Sequence, residues 1–366
     1  MSSNDHPQFV FIDRHQNARI KGVVLPMSHC VKEMMGLYAF FSKNPCFKGL
    51  YLSGYEMAHT CPDQFVLGEW NFHFNREINH ILYEMKYGMG QLEGLPAGKP
   101  IDYNFFNWTF YSDAPSCRGG RIQVKLKPIE KPNSVVVCFS GGKDSVATAL
   151  KCREMGYDVH LYHVHGINHS YPDEVNAAKE IASYLDMPLY VENVTLGGKS
   201  SWKENPVKNQ LIATMALDYA NENGLAHRIA VGDFKDDHRE RAIYGVNWTD
   251  TIEMWIGYTD YIKCSYPDFE LIMPFNNYFQ TMDAVAQDMN LLKMVQGCIA
   301  PMRYRDYWRG KNIAKFGEDV ILPHRCGSCW KCCREYTHLA DIGILPMNEK
   351  FYKKCMGVLK KKEKEI

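Results

Sequence analysis

No apolar run in the sequence approaches the roughly 20 residues that a bilayer-crossing helix needs, and the opening residues, Met1-Ser2-Ser3-Asn4-Asp5-His6, are too polar for a secretory leader. Neither charge is in excess, since 42 Lys and Arg stand against 42 Asp and Glu. Nothing global therefore draws the chain onto nucleic acid or an anionic membrane, although a local basic patch is compatible with the balance. Internal repeats are missing as well. These absences point to a cytoplasmic, globular chain with neither a membrane nor a nucleic acid as its expected partner. The residues that are present agree: 46% are apolar and 23% charged, enough to bury a core. At 366 residues the chain exceeds the usual single-domain range, so two or more packing units are expected. In a reducing compartment the 13 cysteines need a reason other than disulfides, and metal or chemistry is the usual one.

Residues 1–125 read as short strands, such as Phe9 to Ile12 and Gly22 to Leu25, with helices around Cys30 to Ser42 and Asn75 to Lys86. They form a separate N-terminal α+β domain of unassigned role. Residues 126–133 are polar, carry Pro128 and Pro132, and read as a linker. From 134 to 248, short apolar runs alternate with amphipathic ones, the pattern of a doubly wound, Rossmann-like α/β sheet. Strands are expected at Ser134 to Phe139, Asp158 to Val164, Leu189 to Val191 and Arg228 to Val231. Helices are expected at Asp144 to Met155, Asp173 to Leu185 and Val207 to Asn223. Residues 249–366 read as a mostly helical C-terminal part ending in a solvated Lys/Glu tail.

Val135-Val136-Val137-Cys138-Phe139 suits a strand buried on both faces, and it runs directly into Ser140-Gly141-Gly142-Lys143-Asp144-Ser145 and a helix. Strand, glycine turn and helix start make an anion site: the glycines let backbone approach closely, and the helix's first N–H groups and dipole favour negative charge. Ser140 and Ser145 add hydroxyls, Lys143 a point charge, and Asp144 a carboxylate able to hold Mg²⁺ against phosphates. The spacing is neither Walker A nor the dinucleotide G-x-G-x-x-G. Ligands in such folds sit beyond the carboxyl ends of strands, which adds His163 and Val164, and Gly232 and Asp233. A metal on His163 and His165 is the lesser reading of a histidine-rich strand end.

Cys326-Gly327-Ser328-Cys329-Trp330-Lys331-Cys332-Cys333 presents thiols every three residues. Tetrahedral Zn²⁺ takes Cys326, Cys329 and Cys332 from one segment and needs a fourth ligand, for which Cys298 is preferred over Cys333 because adjacent residues diverge. Buried free thiols and an iron–sulfur cluster are the alternatives.

The six-residue loop resembles the S-G-G-x-D-S loop of the ATP pyrophosphatase superfamily, which implies ATP cleavage to AMP and pyrophosphate with the β and γ phosphates held by the loop and adenine beside His163 and Val164. With a later lone Cys and C-G-x-C-x-x-C, the chain is similar to the 7-cyano-7-deazaguanine synthase family of queuosine biosynthesis over roughly Ser134 to Thr337. That resemblance implies a ligase using ATP, Mg²⁺ and a structural Zn²⁺ to activate a deazapurine carboxylate, with Asp144 and Lys143 catalytic. Ammonia is the implied acceptor, or a protein amine in an antiviral setting; the resemblance does not cover residues 1–125, and a protein partner or acceptor docking through that N-terminal domain is a separate expectation. The family's G-R-N element appears only as Val207-Lys208-Asn209, and its Y-P-D-C-R element as Asn247-Trp248-Thr249-Asp250-Thr251. Rival readings are a tRNA-modifying thiolase or lysidine-type ligase, and a non-catalytic ATP-binding subunit. Tyr258, Tyr261 and Tyr266, and Tyr304, Tyr307 and Trp308, read as core or interface aromatics, and Arg239 and Arg241 as a solvated helix face.

Overall fold

The computed structural model describes residues 125–165, 172–193, 208–234, 265–298 and 302–364, four short strands before them, and a few single positions. The strand expected at 9–12, the helices expected at 30–42 and 75–86 apart from Val31, and Tyr261, Arg239 and Arg241 lie outside the described residues. In the N-terminal part, β1 (Asn17–Ile20) pairs antiparallel with β2 (Val23–Pro26), and β3 (Gln64–Val66) pairs parallel with β4 (Thr109–Tyr111).

The main sheet has five parallel strands: β5 (Ser134–Cys138), β6 (Asp158–His165), β7 (Leu189–Asn193), β8 (Arg228–Ala230) and β9 (Glu270–Ile272), in the order β7-β6-β5-β8-β9. Crossovers run through α1 (Lys143–Glu154), α2 (Pro172–Leu185) and α3 (Lys208–Glu222). β5 is central because Val135, Val136 and Val137 are fully buried, so both its faces are covered. On one face Val135, Val137 and Leu161 join Ala147 of α1 and Ile181 of α2 in the core. On the other, Tyr162 packs against Tyr190 and Tyr219 of α3 at centroid distances of 5.6 and 5.4 Å. The expected doubly wound α/β sheet is what the chain forms.

Five further helices follow β9: α4 (Tyr278–Ala286), α5 (Met289–Met294), α6 (Met302–Phe316), α7 (Trp330–Asp341) and α8 (Glu349–Lys364). The stretch read as mostly helical thus also supplies the edge strand β9, and its helices share one core with the sheet, from Val135 to Leu359. Residues read as a linker are docked, with the Glu130 and Lys131 N–H groups donating to the Gly224 carbonyl at 2.7 and 3.0 Å. Among the described residues no helix is long and apolar enough to cross a membrane.

Candidate functional site

Strand order reverses between β5 and β8, the place where open α/β sheets hold ligands. The Ser140 to Ser145 loop sits there. Gly141 has φ +73°, and a Cβ on it would meet the Ala178 backbone nitrogen of α2 at 3.1 Å, so glycine is required twice over. Ser145 Oγ accepts from the Ser140 N–H at 3.2 Å and donates to the Gly142 carbonyl at 3.0 Å, while the Gly142 N–H donates to Ser140 Oγ at 3.2 Å. The two hydroxyls fold the loop on itself.

The start of α1 is unlike the other helix starts around it. Asn277, Asp288 and Cys329 cap α4, α5 and α7 with side-chain acceptors, whereas α1 begins at Gly142 with no side-chain cap. The helix ladder opens with the Val146 N–H on the Gly142 carbonyl at 3.0 Å, so the N–H groups of Lys143, Asp144 and Ser145 precede any intrahelical acceptor. This is the donor arrangement that suits a phosphate.

Lys143 and Asp144 are tied to α4. The Lys143 ammonium bonds the Asp144 carboxylate, donates to Thr281 Oγ1 at 3.0 Å, and lies 3.5 Å from the centre of the Tyr278 ring. Thr281 Oγ1 is also 2.7 Å from Asp144 Oδ1. Arg334 stacks on the same Tyr278 ring at 3.3 Å. Lys143 is therefore turned inward, and burial pulls its pKa down to about 8 against the opposing pull of Asp144. Asp144 keeps 39% of its side chain exposed, and its described bonds use Oδ1 alone.

Beside the loop, β6 ends at His163, Val164 and His165. His163 Nδ1 lies 2.8 Å from the Phe139 carbonyl. A carbonyl only accepts, and burial holds the ring below its ordinary pKa, so the neutral ring carries its proton on Nδ1. Nε2 is then a buried acceptor with no hydrogen-bond partner. Val164 is buried in the same strand end. Past β8, a Cβ on Gly232 would lie 2.9 Å from the Asp144 carbonyl carbon and 3.0 Å from the Ser145 nitrogen, so its bareness lets the first turn of α1 sit against the chain. Asp233 Oδ2 accepts from Trp255 Nε1 at 2.8 Å and from Asn209 Nδ2 at 3.5 Å, next to Lys208 at the start of α3.

The cysteines converge. The sulfurs of Cys298, Cys326, Cys329 and Cys332 all lie within 4.8 Å of one another. Cys298 to Cys329 is 4.0 Å and Cys326 to Cys332 is 3.8 Å. Four thiolates about 2.3 Å from a tetrahedral Zn²⁺ stand about 3.8 Å apart, so the cluster has the right size for one ion. Thiolates of a four-iron cluster each bind a separate iron and stand wider. Backbone N–H groups of Ser328 and Cys329 point at Cys326 Sγ (3.3 and 3.2 Å), that of Cys332 at Cys329 Sγ (3.5 Å) and that of Ala300 at Cys298 Sγ (3.4 Å). Such donors stabilise bound thiolates. Cys333 instead lies in the core beside Cys355, so it is Cys298 that joins the cluster. Among the described residues no histidine belongs to a metal-sized group.

The two centres touch. Gln296, two positions before Cys298, donates its N–H to the Gly141 carbonyl at 3.2 Å and bridges to Gly142 as a parallel partner. The Val295 carbonyl beside it accepts from Arg325 Nη1 at 2.6 Å. Arg325 forms a buried fork with Glu335, Nη2 to Oε1 at 2.7 Å, and a Cβ on Gly297 would lie 3.0 Å from its guanidinium carbon. Sequence reasoning did not find Tyr278, Thr281, Gln296, Arg325 or Glu335. A usable signal existed only for Arg325, which immediately precedes Cys326.

No protein-family model matches this chain, and no curated protein matches it in sequence. Among solved structures it is similar to the NMN synthetase of Francisella tularensis, at 12% identity over 64% of this chain and 87% of that one, with a TM-score of 0.31. A predicted subunit of tRNA methyltransferase from Methanocaldococcus jannaschii gives 20% identity over 41% of this chain and 72% of that one, TM-score 0.24. Glutamine-dependent NAD+ synthetase from Acinetobacter baumannii gives 11% identity over 64% of this chain and 42% of that one, TM-score 0.32. At such values the functional reading rests on the loop and the cysteines themselves.

Proposed function

We propose that the chain is an ATP-dependent ligase that activates a carboxylate by attack on the α phosphate, releasing pyrophosphate and then AMP. The observation that carries this reading is the uncapped start of α1 inside a Ser-Gly-Gly-Lys-Asp-Ser loop at the β5/β8 switch point. The N–H groups of Lys143 to Ser145 would hold the β and γ phosphates, and His163 Nε2 would accept from the amino group of adenine. Asp144 would hold Mg²⁺, which supplies charge neutralisation at the phosphates; Lys143 orients Asp144 from behind.

The substrate carboxylate oxygen forms a bond to the α phosphorus as the bond to the bridging oxygen of pyrophosphate breaks. An amine nitrogen then bonds to the acyl carbon, AMP leaves, and the amine proton passes to solvent. No side-chain nucleophile is needed; fixed donors stabilise the leaving pyrophosphate. The substrate we propose is a 7-carboxy-7-deazapurine, on the combined presence of loop and four-cysteine cluster, with ammonia or a protein amine as acceptor. One Zn²⁺ held by Cys298, Cys326, Cys329 and Cys332 would be structural.

Chromatography of products from ATP, Mg²⁺ and 7-carboxy-7-deazaguanine tests the proposal. AMP and pyrophosphate are expected, and Asp144→Asn should abolish them. ADP as the main product overturns the reading, whereas AMP formed only with another carboxylate keeps the reaction and discards the deazapurine.

A further inference from the structure

Helix α6 carries five cationic residues, Arg303, Arg305, Arg309, Lys311 and Lys315, and a single acid, Asp306. Its inner side is anchored: Asn312 is buried and donates to the Cys326 carbonyl at 2.7 Å, and Phe316 packs against Phe351 at 5.0 Å. Its outer side is unusual. Tyr304, Tyr307 and Trp308 are 49%, 52% and 42% exposed, so three large rings of one helix stand together at the surface. With Lys311 and Lys315 they follow i, i+3, i+4, i+7, i+11 spacing, which places them on one face. Lys311 lies 4.5 Å from the Tyr307 ring centre and 5.5 Å from that of Trp308, and Arg303 lies 4.8 Å from the Tyr304 ring. Asp306 pairs with Arg305 at 3.3 Å and points off this face. The outer stripe therefore offers cations and π surfaces with no carboxylate among them.

The helix also begins beside the candidate ATP site. Arg305 Nη1 donates to Gln296 Oε1 at 3.4 Å, and Gln296 donates to Gly141 of the loop.

We infer that the outer face of α6 is a docking surface for single-stranded polynucleotide, its phosphates met by Arg303, Lys311 and Lys315 and its bases stacked on Tyr304, Tyr307 and Trp308. Charge complementarity decides for this occupant. A protein partner or a second copy of the chain would need an acidic counter-surface, whereas every nucleotide of a single strand brings one anionic phosphate and one stackable base. The neutral net charge of the whole chain hides the local excess. The inference goes beyond the proposed ligase and holds for whichever carboxylate is activated.

The test is fluorescence anisotropy of the full chain with an end-labelled, mixed-sequence single-stranded RNA about 20 nucleotides long, without ATP, across salt concentrations from about 50 to 200 mM. Binding that weakens with salt is expected. Tyr304→Ala/Tyr307→Ala/Trp308→Ala should weaken it about tenfold or more, and Lys311→Gln/Lys315→Gln should reduce the log–log salt slope by about 1.4. All five positions are exposed, so unchanged circular dichroism separates loss of binding from loss of fold. Absence of binding at low salt, or equal binding by the triple aromatic variant, overturns the inference. So does sedimentation showing a dimer that the aromatic variant dissolves, which assigns the stripe to a second copy. Because binding is read without turnover, its failure leaves the ATP reaction standing, and failure of that reaction leaves binding standing.

Discussion

Two residues at the loop show how little freedom the site has. Gly232 meets the first turn of α1 at distances that no Cβ tolerates, and its neighbours there are backbone atoms that cannot swing aside. Gly232→Ala should therefore push α1 away from the strand end. The expected result is a loss of about 1–3 kcal/mol in stability by urea unfolding, with ATP cleavage falling at least about tenfold beyond what the lost folded fraction explains. Unchanged cleavage would mean that this approach does not position the phosphates. Lys143 sets a pH dependence. Its pKa falls from 10.5 to about 8 through burial, so between those values the folded state holds fewer protons than the unfolded one. Stability then rises with pH across that window as the costly buried charge is shed. Activity should move the other way, because loss of the ammonium removes the bond that orients Asp144. A plot of kcat/KM against pH should fall on its alkaline side with a midpoint near 8, and Lys143→Arg, which keeps its charge, should remove that limb while lowering the plateau. A flat profile from pH 7 to 9.5 would separate Lys143 from Asp144 function.

At the level of elements, the segment Val295 to Cys298 does three jobs: it pairs with the loop, receives Arg325, and supplies the fourth sulfur. Removing one partner of the buried Arg325–Glu335 pair should cost about 3–5 kcal/mol, since the other charge is left uncompensated. Arg325→Met should thus lower the melting temperature sharply. Arg325→Met/Glu335→Leu should recover much of that loss yet keep a raised KM for ATP, because the Val295 carbonyl still lacks its donor. Full recovery of KM in the double variant would show that the pair serves the fold alone. The strand, glycine turn and helix that build the loop were legible because each signal is local: a valine run, two glycines, then helical periodicity. The ties that complete the site were not, because Lys143 and Thr281 are 138 positions apart. β9 escaped notice because Glu270–Ile272 is three residues long with no distinctive run. The aromatics of α6 were expected to pack in a core or an interface, and the core half of that expectation fails: spacing shows that they share a face but not what the face meets. By contrast Tyr258 and Tyr266 are fully buried, as expected.

For the molecule as a whole, the consequence lies in where its core runs. Apolar side chains from β5 and α1 through to Phe351, Cys355 and Leu359 of α8 form one contiguous cluster. A boundary near residue 248 would leave two cores able to open separately, while one shared cluster ties them together. The cysteine cluster is fastened into it from both sides, by Asn312 and Lys354 on the Gly327 turn and by Arg325 on Val295. Zinc held by the native cluster, as proposed, and not by the open chain would stabilise everything that opens with it. Hydrogen exchange read by mass spectrometry should then show peptides from β5 and from α8 exchanging at the same rate under mild denaturant. Removing zinc with a chelator should raise both rates by the same factor, and the exchange of the α1 first turn with them. If chelation instead speeds only residues 298–364 and leaves β5 and the loop protected, the cysteine cluster is an independent unit and its contact through Gln296 carries no stability to the proposed ATP site.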